Sequence, residues 1–428
     1  MARVVKKVWA GSHEPDLPRR DRRSCEYESY LPDPLVGRSF SFLGPVAADL
    51  SEAEAAIVRL NESAAGLQDT EAIARLLLRA ESVASSRIEG LEVGGRRLLR
   101  AELVHDLGES TDDVTAEEVL GNVRAMRYAV DELATADSVT LEGVLQVHRH
   151  LLEGTATAQY GGVPRDVQNW IGGSSFNPCS AAFVPAPPEE VEPMLRDLVA
   201  FCNDESLPAV AHAAIAHAQF ETIHPFVDGN GRTGRALIHV ILRRRGIAPK
   251  VLPPVSLVLA TWAGEYVDAL TGTRYTGPPD SDAAVEGVNR WAELFAAASK
   301  RAVVDATTFE KRIVEIQDSW RHQLGKVRRG SAVDLLIRTL PGAPIVTVNG
   351  AADLIGRSFP QTNDAIQRLV EARVMKQVNV GRRNRAFEAP DVLVAFTELE
   401  RRLASPDGET RTSLPGRAVP YRPNAHER

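Results

Sequence analysis

Apolar residues recur along this chain mainly at helical spacing. In DTEAIARLLLRAESVASSRIEGL, Ile73, Leu76, Leu77, Ala80, Val83, Ala84 and Ile88 fall on one helix face. Asp69 or Thr70 is placed to cap the start of that helix, and Gly90 its end. The same spacing predicts amphipathic helices over Ala116–Leu133, Leu141–Leu152 and Glu189–Cys202. Pro208 opens another helix in PAVAHAAIAHAQFETI, and ALIHVILRRRG continues helical to Gly246. PPVSLVLATWAGEYVDALTG and the long stretch from Asn289 to Leu324 extend a mainly α body. One segment departs from it. Gly161–Pro188 carries glycines, prolines and short β-branched or aromatic runs, which predict a hairpin of Val167–Ile171 and Ala182–Val184 around Gly172 and Gly173. Residues 1–45, rich in Pro and Arg without periodicity, are expected to lie along the body as an extended arm.

The pattern changes near residue 326. SAVDLLIRTL, VTVNGAADLIGRS and FPQTNDAIQRLVEARVM predict three helices, and KQVNVGRRNRAFEA a hairpin turning at Gly381. That is the element order of a winged helix-turn-helix. The expected organisation is an N-terminal arm and helical region (1–110), a helical core (111–300), a linking helix (301–325), the winged helix (326–404) and a polar, disordered tail (405–428). Charge follows the same division. The net charge is −7, yet Arg321–Ala389 holds twelve Lys/Arg against five Asp/Glu, which leaves −14 on the rest. The basic excess points to DNA as a partner of this module, and the same fold also serves protein docking.

Composition narrows the setting. With 44% hydrophobic and 25% charged residues the chain can bury a sizeable core. No run approaches the roughly 18 apolar residues of a membrane span, and the N-terminal stretch lacks the apolar region of a secretion signal. Cys25, Cys179 and Cys202 lie far apart without a C-x-x-C pair, so neither a disulfide framework nor a thiolate zinc site is expected, and a cytoplasmic location follows. A homodimer is compatible with all of this. His148, His212 and His217 have no zinc-ligand spacing and read as satisfied helix histidines.

The chemistry concentrates in HPFVDGNGRTGR, His224 to Arg235. Gly229, Gly231 and Gly234 spell G-x-G-x-x-G, but a helix rather than a strand precedes them and no acidic residue lies between Asp228 and Glu265, so a dinucleotide fold does not fit. Arg235-Ala236 replaces the Lys-Ser/Thr of a P-loop, and arginines stand where an EF-hand needs oxygens. A loop of small residues opening a helix instead gathers backbone N–H groups at the helix's positive end, an anion site. Arg232 and Arg235 add two cations three residues apart, which suits a polyphosphate. Asp228 would repel phosphate unless a divalent cation, Mg²⁺, lies between them. His224 is the group here that titrates near neutrality, hence the natural general base.

HPFVDGNGRTGR also resembles, at every fixed position, the signature HPFx(D/E)GNGRxxR of Fic-domain (Fic/Doc) proteins, and the likeness runs from about Leu31 to Leu399. The resemblance implies a Fic-type helical core with a β-hairpin flap, plus the C-terminal winged helix. It implies a protein adenylyltransferase moving AMP from ATP to a Ser, Thr or Tyr hydroxyl of a target protein. In that reading His224 deprotonates the hydroxyl and Asp228 holds Mg²⁺. Gly229, Asn230 and Gly231 cradle the α-phosphate, within a Gly229–Arg235 loop that includes Gly234. Arg232 and Arg235 meet the β- and γ-phosphates, and Tyr266 lies near adenine. Ser85, Glu89 and Gly90 of SSRIEG resemble the family's inhibitory motif, Glu89 pairing with Arg235. Trp170 and Ile171 of the flap are candidate docking residues for the target. The alternatives are a regulator that only senses nucleotide through the same site, and a Fic-type enzyme that transfers phosphate or removes AMP.

Overall fold

The computed structural model describes residues 1–11, 18–19, 21–65, 70–109, 113–380 and 384–402. The chain opens with strands β1 (Arg3–Trp9) and β2 (Cys25–Leu31), paired antiparallel with Arg3 opposite Leu31 and Trp9 opposite Cys25. The arm expected to be extended is in part a two-stranded ribbon, whose pairing the sequence pattern did not anticipate. The strand-forming valines and tyrosines are interleaved with Lys and Glu, which hid their alternation. Helices follow: α1 (Gly44–Ala65), α2 (Thr70–Ile88), α3 (Gly95–Asp106), α4 (Val114–Tyr128) and α5 (Leu141–Leu152). A π-helical turn, Ala129–Leu133, extends α4 to the predicted end. Next come α6 (Pro188–Cys202), α7 (Ala209–Ile223), α8 (Asn230–Arg244), α9 (Val255–Thr261) and α10 (Ala263–Gly272).

Helix α7 is buried at every position. Its alanines let neighbours approach on all sides, so a helix without a polar face sits at the centre, packed by α6 and α8. Gly234 of α8 permits the closest approach: a β-carbon there would lie 2.9 Å from Phe220 and 3.0 Å from Glu221 Oε1.

The predicted flap hairpin is reduced to a single bridge, Ile171 to Phe183. Gly172 and Gly173 both take φ of +75°, and Pro178 opens a 3₁₀ turn, so the two arms cannot run on in register. Strand β2 runs alongside this segment, with Tyr30 N–H donating to Val184 O and Ser29 Oγ to Pro185 O. That neighbourhood joins Cys25 to Cys179 in a disulfide across 154 residues. The expectation of unpaired thiols therefore fails for two of the three cysteines, because the fold makes neighbours of residues far apart in sequence. Only Cys202 is free.

Helix α11 (Asp282–Leu324) runs unbroken through the predicted boundary at residue 300. Beyond it lie α12 (Ala332–Thr339), β3 (Ile345–Val346), α13 (Val348–Ile355), α14 (Phe359–Glu371), β4 (Lys376–Val380), β5 (Asn384–Glu388) and α15 (Pro390–Arg402), with sheet order β3-β5-β4. The three helices and hairpin follow the predicted order, with β3 and α15 added. The turn at Gly381, the cap at Asp69 and the tail from 405 lie outside the described residues.

This C-terminal module packs directly on α2 and α3. A β-carbon on Gly342 would lie 2.8 Å from Ala72 Cα. Arg79 of α2 donates to Gly342 O at 2.8 Å while pairing with Glu102 of α3. Buried Glu388 of β5 pairs with Arg96 and Lys376. Among the described residues no helix is long and apolar enough to cross a membrane.

Candidate functional site

Helix α7 ends at His224, which adopts φ +50°, ψ +61°. This left-handed conformation costs a residue other than Gly roughly 1–3 kcal/mol and persists only where surroundings enforce it. The enforcement is visible. Arg165 is buried and donates from Nε to His224 O at 2.9 Å, and from Nη2 to Ile223 O and Ala186 O. Asn169 Nδ2 bonds His224 O and Phe226 O, both at 3.1 Å. Asn230 closes the loop from the other side: its Oδ1 accepts Phe226 N–H and its Nδ2 donates to Phe226 O, each at 2.8 Å.

Gly229, with φ +76°, begins α8, and a β-carbon there would meet Leu151 at 2.7 Å. His148 fixes the loop above it. Gly162 N–H donates to His148 Nδ1, which leaves Nε2 protonated to donate to Asp228 O at 2.9 Å, and the ring stacks on Phe226 at 3.6 Å. Burial holds this imidazole neutral, with its pKa drawn down to about 4. Both ring nitrogens are satisfied, as expected of a buried helix histidine, and one of the partners is the loop that carries Asp228.

Two buried guanidiniums line the first turns of α8. Arg232 approaches Asp228 Oδ1 at 3.4 Å, yet its Nε and Nη1 make no hydrogen bond. A buried cation with unmatched donors fits an anionic ligand. Arg235 is fully engaged: Nε donates to Ser85 Oγ at 2.9 Å, and Nη2 to Ser85 O and Glu89 Oε1, both at 2.7 Å. Burial opposes its charge, but Glu89 holds the guanidinium pKa above its ordinary value. Burial would raise the Glu89 carboxyl; Arg235, and more distantly Arg232 and His224, hold it below the usual carboxylate range. Glu89 projects from the end of α2, just before Gly90 turns the chain at φ +83°. Its Oε1 occupies the cradle at the start of α8, where even a β-carbon on Gly231 would collide with it.

His224 is neutral. Burial draws its pKa to about 4 against the attraction of Glu89, with Arg165 and Arg274 adding to the depression. Its Nδ1 lies 3.9 Å from Glu221 Oε2. Burial pushes Glu221 up to about 7. Asp228 stands at the cleft mouth beside the cradle, with its Oδ1 accepting Gly229 N–H at 2.7 Å. One carboxylate next to a phosphate cradle fits Mg²⁺, which takes few protein ligands and completes its shell with phosphate oxygens and water. Among the described residues no cluster of three metal-ligating side chains occurs.

The fold thus brings together His224, Asp228, Gly229, Asn230, Gly231, Arg232, Arg235, Ser85, Glu89 and Gly90. Tyr266 and Gly234 lie behind this group, toward the interior. Tyr266 is buried behind Arg235 and in hydrogen-bond contact with it, its hydroxyl also 2.8 Å from His217 Nε2. Gly234 serves the contact between α7 and α8. Trp170 is held by Ser174 O and packs edge-on against Trp9 at 5.5 Å, whereas Ile171 remains exposed on the flap. Arg165, Asn169, His148 and Glu221 were not singled out from sequence as parts of the site; for the first three, nothing in their local spacing signals contact with a loop some 55–80 residues away.

Residues 138–242 match the Fic/DOC family model, and residues 47–131 the model described as Fic/DOC family N-terminal. The chain is 36% identical over 141 residues to protein adenylyltransferase fic-1 of Caenorhabditis elegans, covering 32% of this chain and 26% of that protein. It is 34% identical over 161 residues to protein adenylyltransferase Fic of Drosophila grimshawi, covering 37% and 31%. The chain therefore spans about a quarter to a third of the length of these curated relatives. A crystal structure of a Fic family protein from Desulfovibrio desulfuricans shares the fold, with TM-score 0.50 and 20% identity over 82% of this chain and 98% of that one.

Proposed function

We propose that this chain, which carries the Fic/DOC family's domains over residues 47–131 and 138–242, is an autoinhibited protein adenylyltransferase. The observation that carries the reading is Glu89: its carboxylate sits in a glycine-lined cradle between Arg235 and the loop of the general base. A carboxylate held there is a stand-in for phosphate.

In the reaction, the hydroxyl oxygen of a target Ser, Thr or Tyr attacks the α-phosphorus of ATP as the bond to the β-phosphate oxygen breaks, and pyrophosphate leaves. His224, neutral at physiological pH, accepts the hydroxyl proton. Backbone N–H groups at the start of α8 and the remaining N–H of Asn230 face the α-phosphate. Arg232 has donors for the β-phosphate, and Arg235 orients the γ-phosphate once Glu89 withdraws. Asp228 would hold Mg²⁺, which would supply neutralisation of phosphate charge. Transfer of this kind rests on positioning and charge stabilisation more than on covalent catalysis. The target's backbone lies along the flap beside Ile171.

The basic C-terminal module, read as a winged helix, is the surface for a second partner. Its excess of cations favours duplex DNA. The C25–C179 disulfide removes the thiol argument for a reducing compartment, so location rests on no residue in this chain.

Incubation with Mg²⁺, ATP labelled at the α-phosphate and a cell lysate tests the reading. Label should appear on protein with release of pyrophosphate, and His224→Ala should abolish it. Label arriving from the γ-phosphate would identify a phosphotransferase, and nucleotide binding without transfer a sensor.

A further inference from the structure

Each of the four carbonyls from Ile223 to Phe226 accepts a hydrogen bond from the root of the flap. Arg165 Nη2 takes Ile223 O, Arg165 Nε takes His224 O, Arg165 N–H takes Pro225 O at 2.8 Å, and Asn169 Nδ2 takes Phe226 O. His224 O receives two donors at once, from Arg165 and from Asn169. Arg165 has only 3% of its surface exposed, and among the described residues it forms no ion pair with a carboxylate. A buried guanidinium satisfied by carbonyls alone is costly, and here its bonds tie the residues flanking the left-handed His224 to the flap.

We propose that Arg165, assisted by Asn169, is the positioning residue of the general base. It holds the backbone of His224 in the conformation that aims the imidazole, and it makes the base and the flap one rigid unit. The target strand laid on the flap is thereby registered against the base without touching it. This rests on the transferase reading above, and it explains why a flap lacking regular strand pairing keeps a defined position. Its bonds also run to Val167 O and Ala186 O, one on each arm of the flap.

The test uses the full chain carrying Glu89→Gly. Adding Arg165→Met should lower kcat for AMP transfer by about 10²-fold, the loss expected for a reacting group displaced by about 1 Å. KM for ATP should be unchanged, since Arg165 touches none of the cradle residues of α8. Asn169→Ala, a milder change, should lower the same parameter by a smaller factor. Arg165 is also a cation beside His224, which faces Glu221 of α7, Glu89 of α2, and Arg274 beyond α10. Its removal should move the imidazole titration upward, whereas a remote structural brace would leave the titration in place.

Ring-proton NMR of His224 reads that shift without turnover. Unchanged kcat in both variants, or a loss confined to KM, overturns the assignment. If the Glu89→Gly parent itself transfers nothing, the functional reading fails and the titration alone decides: an unmoved His224 resonance in Arg165→Met then overturns the positioning role.

Discussion

Replacing Glu89 is the most informative perturbation of this molecule. The carboxylate donates nothing to the core, yet it closes the anion cradle through a 2.7 Å bond to Arg235. A hydrogen bond to a charged group is worth about 1.5–3 kcal/mol. Glu89 retains 35% of its side-chain surface, so solvent screening favours the lower half of that range, about 1.5–2 kcal/mol. At about 1.4 kcal/mol per decade, Glu89→Gly should raise the initial rate of AMP transfer about 10- to 30-fold. Arg235 keeps its two bonds to Ser85 in the variant and stays aimed at the cradle. Glu89→Gln, which keeps the volume and loses the charge, separates electrostatic release from added backbone freedom beside Gly90. The assay is initial-rate labelling from α-labelled ATP at matched protein concentration and oligomeric state. Equal rates for wild type, Gly and Gln variants would refute the latch. Activation by Gly without activation by Gln would show that chain flexibility, not the ion pair, restrains the enzyme.

Further outcomes follow from the same geometry. Because burial lowers the His224 pKa to about 4, the neutral base persists well below neutrality; the rate should stay level down to about pH 5 and fall as pH drops through about 4, and an acid limb near the ordinary imidazole value of about 6.5 would contradict it. The same depression means that His224 favours the fold above its ordinary pKa and that this contribution is lost as pH falls through about 4. Asp228→Asn should raise the Mg²⁺ concentration needed for half-maximal labelling, and an unchanged Mg²⁺ titration would remove Asp228 from the metal site. Joint replacement of Cys25 and Cys179 by Ser should cost about 2–4 kcal/mol of stability in the oxidised protein, read as a lower urea midpoint. The full chain should bind duplex DNA with an affinity that falls steeply as salt rises; absence of binding at low salt assigns the basic module to protein docking.

What the sequence made legible was periodic or contiguous. The α2, α5 and α6 helices carry their apolar spacing openly, and the twelve residues from His224 to Arg235 carry most of the site in one stretch. Ser85 and Glu89, four residues apart on one helix face, were legible for the same reason. The rest depends on contacts that no local pattern encodes. Arg165 resembles any loop arginine until its bonds to four carbonyls are seen. His148 has helical spacing typical of a core residue, and only its bond to Asp228 O and its stacking on Phe226 place it under the loop. Tyr266 is likewise opaque to local spacing: its contacts with His217 and Arg235 appear only in the fold. The β1–β2 pairing and the Cys25–Cys179 bond were hidden because charged residues break the strand pattern and chain distance conceals the partner.

The close contact of Gly342 with Ala72, together with the unbroken run of α11, bears on how such an architecture can diversify. A module hung on a loose tether can be exchanged for another by recombination with little consequence. Here a replacement would have to offer a side-chain-free residue against α2 and a carbonyl for Arg79. It would also have to keep the helical phase of α11, because inserting a single residue turns everything downstream by about 100° around the axis. The helix that presents Glu89 is thus a party wall between two rooms, and the lineage must inherit both rooms together or rebuild the wall.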